Sequence, residues 1–218
     1  MSLLNIHGIA PRGKYSSYKG DRNGACENLL LSKAVDGGRH GTTCKRDFST
    51  AACNQKWTTD VSEFRIAAGK LYLSPILDMH NREIVAFSIS RSPNFSQTTD
   101  MLRKAFAKHR NLEGLILHSD QGWQYQMEFY REELKKRGIR QSMSRKGNCL
   151  DNSPMENFFG VMKNEMFYGH EYEFKSLDEL EKAMRKYIEY YNNERITEKT
   201  KGLPPLAYRQ QPFAQLGY

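Results

Sequence analysis

The stretch from Trp57 to Ser90 constrains the fold most. Three strand-like runs follow one another there, Trp57–Phe64, Leu71–Asp78 and Ile84–Ser90. Each is rich in apolar, β-branched and aromatic residues. The last two are separated only by the polar turn Met79-His80-Asn81-Arg82-Glu83. Connections that short join antiparallel neighbours, so the three runs predict a meander. Helical spacing takes over at Ser96, with Met101, Leu102, Ala105 and Phe106 on one face, and ends near His109. Leu115-Ile116-Leu117 is a short, wholly apolar run of the kind buried on both faces in a parallel strand. A second helix over about 127–137 closes at Gly138, and a short strand near Ile139–Met143 follows. A helix then opens near Ser153, and a last one spans 178–194 behind the capping box Ser176-x-x-Glu179. This β-β-β-α-β-α-β-α-α order predicts an α/β fold, its antiparallel meander extended by a parallel pair, with helices on both faces.

Residues 1–55 carry little periodicity and read as loop, with at most a helical turn near Glu27–Lys33. Arg12, Lys14, Tyr15, Tyr18, Lys19 and Arg22 interleave charge with aromatics, a pattern open to phosphate contact and base stacking or to a solvated arm. Cys26, Cys44, Cys53 and Cys149 form no Cys-x-x-Cys pair, so free thiols are expected rather than a zinc site with His40. No apolar run approaches a membrane span, and Met1–Ala10 lacks a signal-peptide pattern, so the expected setting is reducing and cytoplasmic. The formal net charge of +8 favours a polyanionic partner, nucleic acid before membrane.

The candidate chemistry lies in carboxylates. Asp60 sits within the first strand, where a charge is costly unless compensated. Asp120 follows the carboxyl end of the apolar fourth strand, where open α/β sheets place their sites. Glu156 and Lys163 are seven residues apart on the helix that opens near Ser153, and so lie nearly in line. Ser153-x-x-Glu156 also reads as a capping box, in which Glu156 only holds a backbone N–H. If the first and fourth strands are neighbours, Asp60 and Asp120 meet and Glu156 can lie across them. Convergent carboxylates need a cation, and an all-oxygen set suits Mg²⁺ or Mn²⁺. Arg145, Lys146, Asn152 and Lys163 are the candidate DNA contacts. Residues 131–163 hold eight Lys or Arg against four acidic residues. His118 shares a strand face with Asp120 and is expected to be packing.

Trp57-Thr58-Thr59-Asp60-Val61-Ser62-Glu63-Phe64, His118-Ser119-Asp120-Gln121-Gly122 and Asn152-Ser153-Pro154-Met155-Glu156 resemble the three motifs of the DDE transposases of the insertion sequence three family. Thirty-five residues separate Asp120 from Glu156, as is typical of that family. Lys163 matches its Lys/Arg position, and Tyr191-Asn192-Asn193-Glu194-Arg195 with Gly202-Leu203-Pro204-Pro205 resembles its C-terminal signature. The resemblance covers about residues 46–210. It implies a ribonuclease-H-like fold with a five-stranded mixed sheet of order 3-2-1-4-5. It also implies a metal-binding catalytic triad of Asp60, Asp120 and Glu156, two Mg²⁺ or Mn²⁺ ions, and strand cleavage with 3′-OH strand transfer in DNA transposition.

Two departures stand out. Asn28-Leu29-Leu30 and Arg46-Asp47-Phe48, usually almost adjacent in the family, are separated by residues 31–45, which read as an inserted surface loop. No helix-turn-helix pattern stands before Trp57. The expected organisation is a basic arm over 1–55, a catalytic core over 56–170 and a helical tail over 171–218. Partners expected are DNA, a second copy of the chain, and a helix-turn-helix protein or fusion. A truncated, non-catalytic partner of a longer transposase and a related nuclease that cleaves without joining are the alternatives.

Overall fold

The computed structural model describes residues 25–34 and 43–211. The basic arm with Arg12, Lys14, Tyr15, Tyr18, Lys19 and Arg22 lies outside the described residues, as do His40 and Pro212. The chain runs through β1 (Leu31–Ala34), β2 (Thr43–Arg46), β3 (Lys56–Thr59), β4 (Ser62–Ile66), β5 (Gly69–Asp78) and β6 (Ile84–Ser90). It continues through α1 (Phe95–Lys108), β7 (Ile116–Ser119), α2 (Trp123–Gln126), α3 (Glu128–Lys135) and β8 (Arg140–Met143). Helices α4 (Ser153–Met166), α5 (Leu177–Asn193) and α6 (Pro205–Arg209) complete it.

The main sheet follows the expected order. β6 pairs with β5, β5 with both β3 and β4, β3 with β7, and β7 with β8; the last two pairings are parallel. The expected first strand is broken in two. Asp60 Oδ1 takes the N–H of Val61 at 2.7 Å, so the ladder is interrupted between β3 and β4.

Each face of the sheet carries its own apolar core. Trp57, Ile76 and Leu117 pack with Met101, Leu102 and Ala105 of α1 and with Tyr130 and Leu134 of α3. Phe64, Leu71 and Leu73 pack with Met155, Phe158 and Met162 of α4 and with Leu180, Met184, Tyr187 and Ile188 of α5. Each such fully buried side chain stabilises the fold by roughly 1.5–3 kcal/mol. The apolar stripe of α5, from Leu177 to Tyr191, is thus part of this core. Ser176 caps α5 by accepting from the Glu179 N–H at 3.2 Å, as its sequence pattern predicts.

Two segments differ from their sequence reading. The turn after β5 is buried, not solvated, because Asp78 and Glu83 have no exposure. Arg209 of α6 and Lys108 pair with Glu83, and Asn81 Nδ2 donates to the Pro205 carbonyl at 3.0 Å. Pro204 and Pro205 open the short helix α6, which clasps this turn. At the free edge of the sheet, the Asn192 side chain accepts from Ile84 N and donates to Ile84 O, both at 2.9 Å.

The second correction concerns residues 31–45. They are not a plain loop but begin and end as an antiparallel hairpin, with Leu31 opposite Arg46 and Ser32 opposite Lys45. Short polar runs can form such a ribbon because the pairing is backbone-made. The Leu30 carbonyl accepts from Asp47 N at 2.8 Å below it, so Asn28-Leu29-Leu30 and Arg46-Asp47-Phe48 meet at the base. Replacing residues 33–44 by Asn-Gly, a favoured two-residue hairpin turn, should therefore leave Tm within about 4 °C, the shift that ~1 kcal/mol gives in a chain of this size. Thermal unfolding of the shortened chain checks this.

Candidate active site

The pairing of β3 with β7 builds the site. Thr58 lies opposite His118 in parallel register. Asp60 and Asp120 each follow two residues later, at the carboxyl ends of neighbouring strands and on the same face. That face is the one covered by α4, since Thr58 bonds to Asn152 at the start of that helix. The turn after β7 is tight: Asp120 Oδ1 accepts from Gly122 N at 2.9 Å. A Cβ on Gly122 would lie 2.9 Å from that same oxygen, so the glycine permits the close approach. The Asp-x-Gly spacing carried this signal, and the sequence reading did not use it.

None of the three candidate carboxylates takes part in an ion pair among the described residues. The Asp60 carboxyl is held well above the usual range, first by burial and then by the negative charge of Asp120. Glu156 adds to this, while the Val61 N–H and Lys163 act against it. Asp120 is raised by burial, against the Gly122 N–H. Glu156 is exposed on α4, and its carboxyl is raised by partial desolvation, opposed by a hydrogen bond from the Cys149 thiol. Asp60 and Asp120 thus form a close pair, with Glu156 within electrostatic reach of Asp60. Among the described residues, no three His, Cys, Asp or Glu side chains are gathered closely enough to hold a metal ion as they stand. The capping-box reading of Glu156 fails as well. Asn152, not Ser153, is the N-cap, and α4 has no side-chain cap bond.

The candidate DNA contacts divide. Asn152 is a correction: it is 4 % exposed, its Oδ1 accepts from Thr58 Oγ1, and its Nδ2 donates to the Thr59 carbonyl at 3.2 Å. Its amide is consumed in fixing α4 to β3. Arg145 turns its guanidinium onto Asp151, with Nε and Nη2 contacts both at 2.9 Å. Lys146 is exposed. Lys163 is only half-exposed, with Nζ 4.9 Å from the centre of the Phe64 ring. Burial lowers its pKa despite the nearby Glu63 and Asp60. His118 is packing, as expected: it is fully buried between Ser142 Oγ at 2.8 Å and Ser144 Oγ at 3.0 Å. Burial depresses its pKa to about 4, so it is neutral near pH 7. Sequence reasoning missed Tyr125, a fully buried core residue whose pKa is raised by burial and then by Asp60 and Asp120, against a contact with Thr59.

This fold and this strand-end aspartate pair define an integrase-type polynucleotidyl transferase core. Models of the integrase core domain match residues 51–149 and 156–213. An uncharacterized transposase-like protein of Haemophilus influenzae is 50 % identical over 213 residues, covering 97 % of this chain and 90 % of that protein. The putative transposase InsK for insertion sequence element IS150 of Escherichia coli K12 is 44 % identical, over 98 % of this chain and 70 % of that protein. The chain belongs to the transposases of the insertion sequence three family. In fold it is similar to the HTLV-2 integrase catalytic core domain in complex with magnesium, at a TM-score of 0.55 and 17 % identity, over 73 % of this chain and 98 % of that one.

The raised Asp60 pKa sets the sign of a stability test. Below the ordinary value of 3.8 Asp60 is neutral folded or unfolded. As pH rises from there toward the raised folded value, the unfolded chain gives up the proton more readily than the folded one, so stability falls, and the cost is complete above the folded value. Asp60→Asn should therefore raise Tm at pH 7, and its advantage over wild type should shrink as pH falls toward 4. Thermal melts of both proteins across that range check this.

Proposed function

We propose that this chain carries out divalent-metal-dependent cleavage of DNA and transfer of the 3′-OH strand, with Asp60, Asp120 and Glu156 as its metal ligands. The observation that carries the reading is the Asp60–Asp120 pair, set side by side by strand register and without an ion pair among the described residues. An uncompensated carboxylate pair of this kind is the donor set a hard cation fits. Asp60 Oδ1 and Asp120 Oδ1 each accept one backbone N–H, which orients both carboxylates and leaves their Oδ2 atoms available. Glu156 is the third ligand, brought in from the exposed face of α4. Two Mg²⁺ or Mn²⁺ ions bound there would activate the attacking oxygen and stabilise the leaving one at phosphorus. That the HTLV-2 core is in complex with magnesium supports this choice of ion.

Lys163 and Lys146 are the residues we assign to DNA phosphates, beside the carboxylates. The basic residues Arg12, Lys14, Lys19 and Arg22 act as an arm on the same polyanion, and a second copy of the chain or a helix-turn-helix partner completes the assembly. The non-catalytic alternative has one observation in its favour: among the described residues no three His, Cys, Asp or Glu side chains are gathered closely enough to hold a metal ion as they stand.

The test separates these readings. Mg²⁺ should raise the Tm of the wild-type chain, and Asp120→Asn or Glu156→Gln should abolish both that shift and strand nicking. A Mg²⁺ shift with nicking but no joining points to a nuclease; no shift at all points to the non-catalytic partner. Lys163→Met, which keeps the apolar stem over Phe64, should weaken duplex binding and reduce the slope of log affinity against log salt by about one. An unchanged slope in a salt titration removes Lys163 from the DNA interface.

A further inference from the structure

We propose that Asp151 is a positioning residue for Glu156, tying the start of α4 to the segment that precedes the catalytic core. The inference rests on reading Asp60, Asp120 and Glu156 as the metal-binding carboxylates. Asp151 is 1 % exposed and lies five residues before Glu156. A buried carboxylate is costly unless its lone pairs are filled. Here five donors converge on it from three stretches of chain. Asn28 Nδ2 reaches Oδ2 at 3.1 Å, and Arg46 Nε reaches Oδ1 at 2.7 Å. Arg145 contributes its backbone N at 3.0 Å, Nε at 2.9 Å and Nη2 at 2.9 Å. Burial alone would raise the Asp151 pKa, but the two arginines and the Arg145 N–H hold it well below the carboxylate range.

The neighbouring residue completes the anchor. Asn152 bonds to Thr58 and Thr59, the last residues of the strand that leads into Asp60. Residues 151 and 152 are therefore fixed from two sides, by the N-terminal segment and by β3. Helix α4 begins at the next residue without any side-chain cap of its own. The place of its first turn, and so of Glu156 relative to Asp60 and Asp120, is set by this pair of residues. Arg46 reinforces the arrangement by donating to Asn148 Oδ1 at 3.0 Å, inside the same loop. A displacement of about 1 Å at a reacting centre costs on the order of 100-fold in rate, and loss of an outer-shell partner typically costs about 10–100-fold in metal affinity.

The test uses the full chain and Mg²⁺, read by thermal shift and by nicking of duplex DNA. In Asp151→Asn the Mg²⁺ midpoint should rise about tenfold or more, and turnover should fall about 100-fold, with the apparent KM for DNA within about threefold of wild type. A purely structural role lowers Tm and the active fraction but leaves the Mg²⁺ midpoint where it is, and that result overturns the inference. Arg46→Gln keeps the Arg145–Asp151 pair and alters a side chain that is 27 % exposed. It should shift the midpoint in the same direction by a smaller factor, and it decides the question if Asp151→Asn does not fold. A wild-type chain with no response to Mg²⁺ instead overturns the metal-site reading itself, and the role of Asp151 falls with it.

Discussion

The parallel pairing of β3 with β7 is the constraint on which the rest of the structure depends. It sets Thr58 against His118, and everything of chemical interest is counted from that register. A slip of one residue would turn Asp60 or Asp120 to the opposite face, under α1 instead of α4. The register is protected by burial on both sides. Trp57 and Leu117 fill one core, while Thr58 and His118, both without exposure, are held by Asn152 and by Ser142 with Ser144. The polar residues of these strands thus serve alignment, and the carboxylates just beyond them inherit it.

Buried carboxylates fall into two kinds in this molecule. Glu83 and Asp151 are answered by Lys or Arg, and both are held below their ordinary pKa despite burial. Asp78 leans on Arg209 and on the N–H groups of Asn54 and His80, though burial still raises it. Their work is to join distant segments: α6 to the turn after β5, and the N-terminal segment to α4. Among the described residues, Asp60 and Asp120 each accept one backbone N–H, and they repel one another. Their charged state destabilises the fold, and no ion pair among the described residues offsets it.

Much of this was legible in the sequence because hydrophobic periodicity and connection length report directly on sheet order. The three meander strands, the apolar strand at Leu115–Leu117 and the stripe of α5 all appear where the pattern places them. The break at Asp60-Val61 was less legible, since it comes from one side-chain to backbone bond that alternation cannot register. The burial of Asp78 and Glu83 was invisible for a different reason: a polar turn looks solvated until Arg209, more than a hundred residues later, is seen to cover it. Asn152 was misjudged because a polar residue beside a candidate site looks like a ligand contact, whereas its amide closes a gap to β3. The hairpin at 31–46 escaped because backbone pairing leaves little trace in short polar runs.

The side chain of Asn192 at the sheet edge has a consequence for how copies of the protein come together. Its amide offers Ile84 the same donor and acceptor that a neighbouring strand would offer. Beyond it, the carbonyl of Phe87 accepts from Lys104. An intruding strand finds these places taken, so the outer rim of β6 is a poor template for edge-to-edge growth. Growth of the sheet by strand addition is in this way disfavoured at the β6 edge, where the backbone groups that a second strand would pair with already have partners from the same chain.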